Sequence, residues 1–335
     1  MAAPGPAKGA AARVADAALE ATVVLSFSRF GYLARRRLFT WDQPAAASMA
    51  GRVVVVTGAT GGLGQAIATG VGRLGATVWL LGRSRARTEA LAALIRGAVL
   101  DVDLHVALAD LTRLSDVRQA ADTLLAGSER LDVLVHNAGA MLSGYELTVD
   151  GLEGTTQIHV VAPFLLTSLL FPRLGATPGA RVITVSSGGM YTRRLDVDAL
   201  IPEPTSFNGV TCYAQTKRAQ VVLTQEWARR TQGSGVTFWS THPGWVDTPG
   251  LTASLPRFSA LMGPVLRTPQ EGADTIVWLA SSTAPVEVNG AFWHDRRPRS
   301  TTPLPRTSTS QDEADRLWHW AAAHAGLPTT PAGLR

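Results

Sequence analysis

The sequence predicts a single doubly wound α/β domain, on three observations. From Arg52 onward, short apolar runs alternate with longer stretches of helical periodicity. Most of those runs are apolar at consecutive positions, as strands covered by helices on both faces are. The first run, Val53–Val56, passes directly into the small residues "TGATGGLG" and then into a helix-forming stretch. Alternating strands and helices require a parallel sheet with crossover helices on both sides. The 335 residues suit one domain of ~250 residues with extensions. With 46% hydrophobic and 17% charged residues, the chain can bury a large core.

Taken in order, residues 1–12 are Ala, Pro and Gly apart from Met1 and Lys8 and are expected to be a disordered lead-in. Residues 13–48, beginning "VADAALEATVVLSFSRFGYLARRRLFTW", form a helical extension in which Arg29, Arg35, Arg36 and Arg37 gather towards the end. Asp16, Glu20 and Arg29 interrupt its apolar run too soon for it to span ~30 Å of hydrocarbon, and no small-residue cleavage site follows a signal core. Two readings of residues 13–41 stay open: packing on the domain or on a partner subunit, and peripheral contact with a membrane surface through aromatic and arginine side chains.

The domain itself covers 49–296, with strands expected at Val53–Val56, Thr77–Leu81, His105–Ala109, Val133–His136, Val182–Ser186, Thr237–Thr241 and Ala291–Trp293. The remainder, 297–335, is rich in Arg, Pro, Ser and Thr and then carries one helix. Ser310 and Glu313 have capping-box spacing at its start, and Gly326 is a suitable stop.

Composition narrows the function classes. The net charge of +5 comes from scattered arginines without an aromatic-interleaved basic stripe, which argues against nucleic-acid binding. The chain has only two lysines, Lys8 and Lys217. The single cysteine, Cys212, rules out an internal disulfide framework, and the seven histidines have no metal-ligand spacing, so no metal is expected. These features suggest a cytoplasmic location, with a membrane-peripheral one as the variant that residues 13–41 allow.

Gly58, Gly62 and Gly64 lie between a strand and a helix, the context that makes a glycine pattern informative. Such a turn lets backbone approach a pyrophosphate, and the N–H groups at the helix start supply donors and the positive end of a dipole. The spacing Gly-x-x-x-Gly-x-Gly after Thr57 resembles the short-chain dehydrogenase/reductase family, whose other blocks follow in order. Asp110-Leu111 ends the third strand and "NAG", Asn137, Ala138 and Gly139, the fourth; "VITVSSGGM", "YAQTK" and "HPGWVDT" come after. The resemblance implies a Rossmann-type sheet that binds a nicotinamide dinucleotide through Thr57, Gly58, Gly62, Leu63, Gly64, Asp110, Leu111, Asn137, Ala138, Gly139, Lys217, Pro243, Gly244 and Thr248. It also implies a homo-oligomer.

Tyr213 and Lys217 are four residues apart and share one helix face. A tyrosine of pKa ~10 is a weak acid–base catalyst at neutral pH unless a cation lowers it, and Lys217 is the cation expected to do so. Ser186 and Ser187 both offer a hydroxyl for the substrate oxygen, and the family pattern favours Ser187. The long gap from there to Tyr213 is read as an inserted loop, "GMYTRRLDVDALIPEPTSFNG". His159 stands where the family often has an asparagine that holds a water in the proton relay; it can serve that relay or simply be packed.

At the end of the second strand Gly82 replaces the carboxylate that would accept the ribose 2′-OH. Arg83 follows, with Ser84 and Arg85 near, which favours NADP(H) over NAD(H). The apolar "PGLTASLPRFSALMGPVL", with Leu251, Leu255, Phe258, Leu261 and Met262, is expected to be a lid over a lipophilic carbonyl or alcohol. The expected function is an NADP(H)-dependent oxidoreductase interconverting the two. A catalytically weak NADP(H)-binding sensor or scaffold of the same fold is the alternative.

Overall fold

The computed structural model describes residues 6–282, 288–303 and 307–329. The chain opens with three helices, α1 (Pro6–Glu20), α2 (Val23–Phe27) and α3 (Arg29–Leu38). Then follow β1 (Val53–Thr57), α4 (Gly62–Arg73), β2 (Thr77–Gly82), α5 (Arg85–Ala98), β3 (Leu104–Leu108), α6 (Leu114–Gly127) and β4 (Val133–His136). A short α7 (Gly154–Thr156) runs through a π turn, Gln157–Val161, into α8 (Ala162–Ala176). Next come β5 (Arg181–Val185), α9 (Gly209–Arg230), β6 (Thr237–Thr241), α10 (Pro249–Ser254), α11 (Pro256–Met262) and α12 (Pro269–Ser281). The chain closes with β7 (Phe292–His294), β8 (Arg297–Arg299) and α13 (Gln311–His324).

These strands form one sheet in the order β3-β2-β1-β4-β5-β6-β7-β8, parallel except for β8. Alternate residues of each strand point to opposite faces. Val53, Val55, Leu134, Val182 and Phe238 bury against α6, α8 and α9, and α13 caps that side with Leu317 and Trp318. Val54, Val56, Val133, Ile183 and Trp239 bury on the other side against Ile67, Ile95 and Ile276 of α4, α5 and α12. Strand order reverses between β1 and β4, so a crevice opens at their carboxyl ends. Gly154–Ala176 is long and apolar enough to span a bilayer, but it is mostly buried as a core helix.

Several features differ from the sequence expectations. The first helix begins at Pro6, inside the stretch read as a disordered lead-in, of which residues 1–5 lie outside the described residues. The extension is three helices, broken at Thr22 and Ser28. The stretch read as an inserted loop contributes to the core, since Met190, Leu195, Val197 and Leu200 are buried. β8 was not anticipated: Arg-Pro-Arg has no strand pattern, and the strand exists because Asp295 and Arg296, both at positive φ, turn the chain back on β7. Asp274 holds the Arg296 side chain in that turn through bonds of 2.8 and 2.6 Å. At α13 both capping-box bonds form, and Gly326 follows the helix at φ +62°.

The extension packs on the domain through charge. Buried Arg35 donates to Asp16 at 2.7 Å, to Glu20 at 2.6 Å and to Asp295 at 2.8 Å. Arg267 reaches the same Asp295 at 2.6 Å and also bonds the carbonyls of Ser26 and Phe27. Burial pushes the Asp295 carboxyl pKa up, but Arg267, His294 and Arg35 together outweigh it and hold the group well below the usual carboxylate range. Removing one partner of such a set leaves the others charged and buried. Arg35→Ala should therefore cost about 3–5 kcal/mol in a urea titration. Arg85→Ala, at an exposed i,i+4 pair, should cost under ~1 kcal/mol.

Candidate active site

Three glycines of the β1–α4 turn, Gly58, Gly62 and Gly64, have no room for a side chain. Gly58 and Gly62 have φ of +63° and +51°, and a Cβ on Gly58 would lie 2.7 Å from Ala138 Cα. One on Gly64 would lie 2.3 Å from the Gly58 carbonyl, and one on Gly62 would lie 2.8 Å from Thr248 Cγ2. Thr57 Oγ1 accepts from the N–H groups of Asn137 and Ala138, both at 3.0 Å. Asn137 Nδ2 in turn donates to the carbonyls of Thr57 and Gly58 at 3.0 and 3.2 Å. The side chains of Thr57 and Asn137 are therefore spent on clamping the turn to the end of β4.

At Gly61 nothing lies within 4 Å of an added Cβ, and this glycine caps α4 without a side chain. The space beside Gly61 at the start of α4 is thus open, a cradle that fits a pyrophosphate. Leu63 packs into the core behind.

The other residues expected at a dinucleotide site lie around this crevice. Asp110 accepts from the Thr112 N–H and hydroxyl at 3.0 and 2.7 Å, shaping the turn after β3, and Leu111 packs beside it. Gly139 lies close to His159 and Lys217, since its Cβ would be 2.9 Å from His159 Nε2 and 3.5 Å from Lys217 Nζ. Pro243 accepts from Arg267 at 3.3 Å, Gly244 has φ +79°, and Thr248 caps α10 by accepting from the Leu251 N–H. A Cβ at Gly82 would be 2.3 Å from Thr88 Oγ1, so no carboxylate fits at the end of β2. Beyond it Arg83 is exposed, Ser84 caps α5, and Arg85 pairs with Glu89.

At the carboxyl end of β5 the two serines separate. Ser186 is buried, and its hydroxyl donates to the Lys217 carbonyl at 2.8 Å, which removes it from the chemistry. Ser187 is hydrogen-bonded to Tyr213 from α9 and accepts from the Gly189 N–H at 3.2 Å. Lys217 lies one turn along α9, its Nζ 5.5 Å from the Tyr213 ring centroid, and donates to the Val185 carbonyl at 3.0 Å and to Gln220 Oε1 at 3.1 Å. Burial lowers its pKa to about 7. The expected depression of Tyr213 is not found: burial raises its pKa above the ordinary 10.0, and the Ser187 bond offsets only part of that. A lysine that is itself half-neutralised by burial, and placed by the ring, cannot overcome that desolvation.

A strand-ordered glycine cradle with Ser, Tyr and Lys converging beside it matches the comparisons with known proteins. The short chain dehydrogenase family pattern covers residues 52–257. The chain belongs to the short-chain dehydrogenase family. It is 38% identical over 293 residues to dehydrogenase/reductase SDR family member 12 of Bos taurus, covering 87% of this chain and 91% of that one. Human retinol dehydrogenase 13 is 31% identical over 292 residues, 85% of this chain and 87% of the relative. The solved Pseudomonas aeruginosa RhlG/NADP active-site complex superposes with a TM-score of 0.61 at 25% identity, covering 75% of this chain and 96% of that one.

Against that family pattern, His159 sits at the π turn and is buried and neutral. Its Nε2 accepts from the Ala140 N–H at 3.1 Å, which leaves the proton on Nδ1, 2.8 Å from Thr216 Oγ1. Burial first, and the Lys217 charge second, hold its pKa well below the ordinary value. Both ring nitrogens are thus engaged within the protein. His136 is likewise buried, bonded to Thr167 at 2.7 Å. Gln220 was missed in the sequence, where a polar residue three positions beyond Lys217 reads as helix surface; the long uncharged run "AQVVLT" around it was the available signal.

The cradle predicts opposite outcomes for two glycines. Gly61→Ala should fold with an unchanged melting temperature yet weaken NADPH binding about tenfold or more, because its methyl enters the open space. Gly64→Ala should lower the melting temperature itself. Fluorescence titration and thermal melts separate the two.

Proposed function

We propose that the protein is an NADP(H)-dependent oxidoreductase that interconverts a carbonyl and an alcohol on a lipophilic small molecule. The observation that carries this reading is the Ser187–Tyr213 hydroxyl pair, with Lys217 against the tyrosine ring, set beside the glycine cradle. The dinucleotide supplies or takes the hydride. Tyr213, kept a phenol by its burial, donates the proton to the substrate oxygen in the reducing direction. Ser187 bonds the same oxygen as charge develops on it, and Lys217 orients the dinucleotide and sets the local charge. Gly64 and its neighbours hold the pyrophosphate.

Three features support the finer assignments. No carboxylate fits at Gly82 and Arg83 is exposed next to it, which suits a 2′-phosphate. Helices α10 and α11 bury none of their residues, so Leu251, Leu255, Phe258, Leu261 and Met262 are not core. Phe258 meets Trp245 edge-on and Ser254 bonds the Met141 carbonyl, which sets these helices over the end of β4 as an apolar lid. Relatives named as retinol dehydrogenases agree with a lipophilic substrate.

The same reading gives the extension a second use. While Arg35 anchors it, α2 and α3 leave Val23, Val24, Leu25, Phe30 and Leu33 exposed near Arg36 and Arg37. Apolar side chains flanked by arginine suit an anionic lipid surface. Co-sedimentation with vesicles containing phosphatidylserine should be lost in Phe30→Glu and in zwitterionic vesicles; equal recovery with both vesicle types would contradict it.

NADPH oxidation with lipophilic aldehydes and ketones should fall at least ~100-fold in Tyr213→Phe while NADPH still binds. NADPH binding without turnover on any member of the panel would favour the sensor alternative. Arg83→Glu should weaken NADPH binding about tenfold or more and leave NADH binding nearly unchanged. Since the Tyr213 pKa is raised, the phenol persists through neutral and mildly alkaline pH. Reduction should hold across that range, and alcohol oxidation, which needs the phenolate, should still be climbing at pH ~10, the ordinary tyrosine value, with no plateau below it.

A further inference from the structure

Gln220 lies one turn beyond Lys217 on α9 and is as buried as the lysine, each 3% exposed. Its two ends serve different elements. Oε1 accepts from Lys217 Nζ at 3.1 Å, and Nε2 donates to the His159 carbonyl at 2.9 Å. That carbonyl is open to a side chain for a reason written in the sequence. In an α-helix its donor would be the N–H four residues on, but residue 163 is proline and has none. The π turn shifts the ladder at the same place, with the Ala162 N–H going to the Gln157 carbonyl.

We propose that Gln220 is a positioning residue of the active site: it ties the Lys217 ammonium to the carbonyl that Pro163 leaves free, and so fixes where that ammonium stands against Tyr213. The inference rests on the Ser187–Tyr213–Lys217 chemistry proposed above. Lysine has three N–H donors. Val185 and Gln220 take two of them, from strand and helix, which leaves the third for a bound dinucleotide. Only an amide meets both demands on Gln220. Leucine would orphan a buried carbonyl and withdraw an acceptor from a buried ammonium, and glutamate would keep the acceptor but face the His159 carbonyl with no donor. The titratable side chains that face Lys217 are Tyr213 on its own helix and His159 on the π turn.

The chain's lysine content makes the test direct. Full-length protein labelled with 13C at lysine Cε gives two signals, and Lys8→Arg assigns the one from Lys217. Gln220→Leu should move the Lys217 titration midpoint down by about one pH unit, because the charged form loses an acceptor. Gln220→Glu should move it up by at least about one unit, because a carboxylate now faces the ammonium. Opposite shifts from two variants that both break the His159 bond cannot come from a structural role alone. With NADPH and an accepted aldehyde, Gln220→Leu should lower kcat about tenfold with KM little changed.

The same midpoint in wild type and both variants overturns the proposal, even if turnover is observed. Conversely, absence of turnover in the wild type defeats the proposed activity and leaves the titration readable. If Gln220→Leu does not fold, the upward shift in Gln220→Glu decides the matter.

Discussion

One buried ammonium organises this site. Lys217 is withdrawn from water between the sheet and the π turn, and an ammonium there is costly unless it is hydrogen-bonded. Its neighbours are arranged to meet that cost. The Val185 carbonyl at the end of β5 and the Gln220 amide accept from it, and Ser186 secures its own backbone carbonyl. His159 stays neutral beside it, held so by burial first and by the Lys217 charge second. With its pKa brought to about 7, the lysine is poised between forms, and a ligand that accepts from its remaining N–H would draw it towards the ammonium.

The rest of the crevice follows from close backbone approach. Thr57 and Asn137 each spend their side chains in bonding one strand end to the next, which clamps the glycine turn, whose Gly58 and Gly64 N–H groups bond the Leu81 and Gly61 carbonyls. The extension then closes the far side. Phe27, whose carbonyl accepts from Trp245, sits so near Gly188 that a Cβ there would lie 2.5 Å from its ring. The residue after Ser187 is glycine because an N-terminal aromatic occupies the space. Phe27 of the extension, Trp245 after β6 and Phe258 of α11 thus form one chain of edge-on aromatic contacts.

Local signals made most of this legible in the sequence. Strands buried on both faces show as unbroken apolar runs, and seven of the eight were placed to within a residue or so. Tyr213 and Lys217 are readable from helical spacing, and the glycine turn from its position between strand and helix. What escaped is non-local. Arg35 and Asp295 are 260 positions apart, so nothing near either shows that one buries the other's charge. Neither the burial that raises Tyr213 nor the partners that hold His159 neutral can be seen in a linear pattern. The bond from Gln220 to the His159 carbonyl is non-local too, because Pro163 on another helix supplies no N–H for that carbonyl.

In the proposed chemistry the phenol of Tyr213 and a bound dinucleotide act on one substrate carbon and its oxygen. It is tested most directly by supplying NADPH deuterated at nicotinamide C4, in each stereochemical form, with a long-chain aldehyde, and measuring the alcohol by mass spectrometry. Deuterium on the carbinol carbon from one form only, in wild type but not in Tyr213→Phe, is the predicted result. Tight NADPH binding with no deuterated alcohol from either form, across retinoid, steroid and fatty carbonyls, would contradict it.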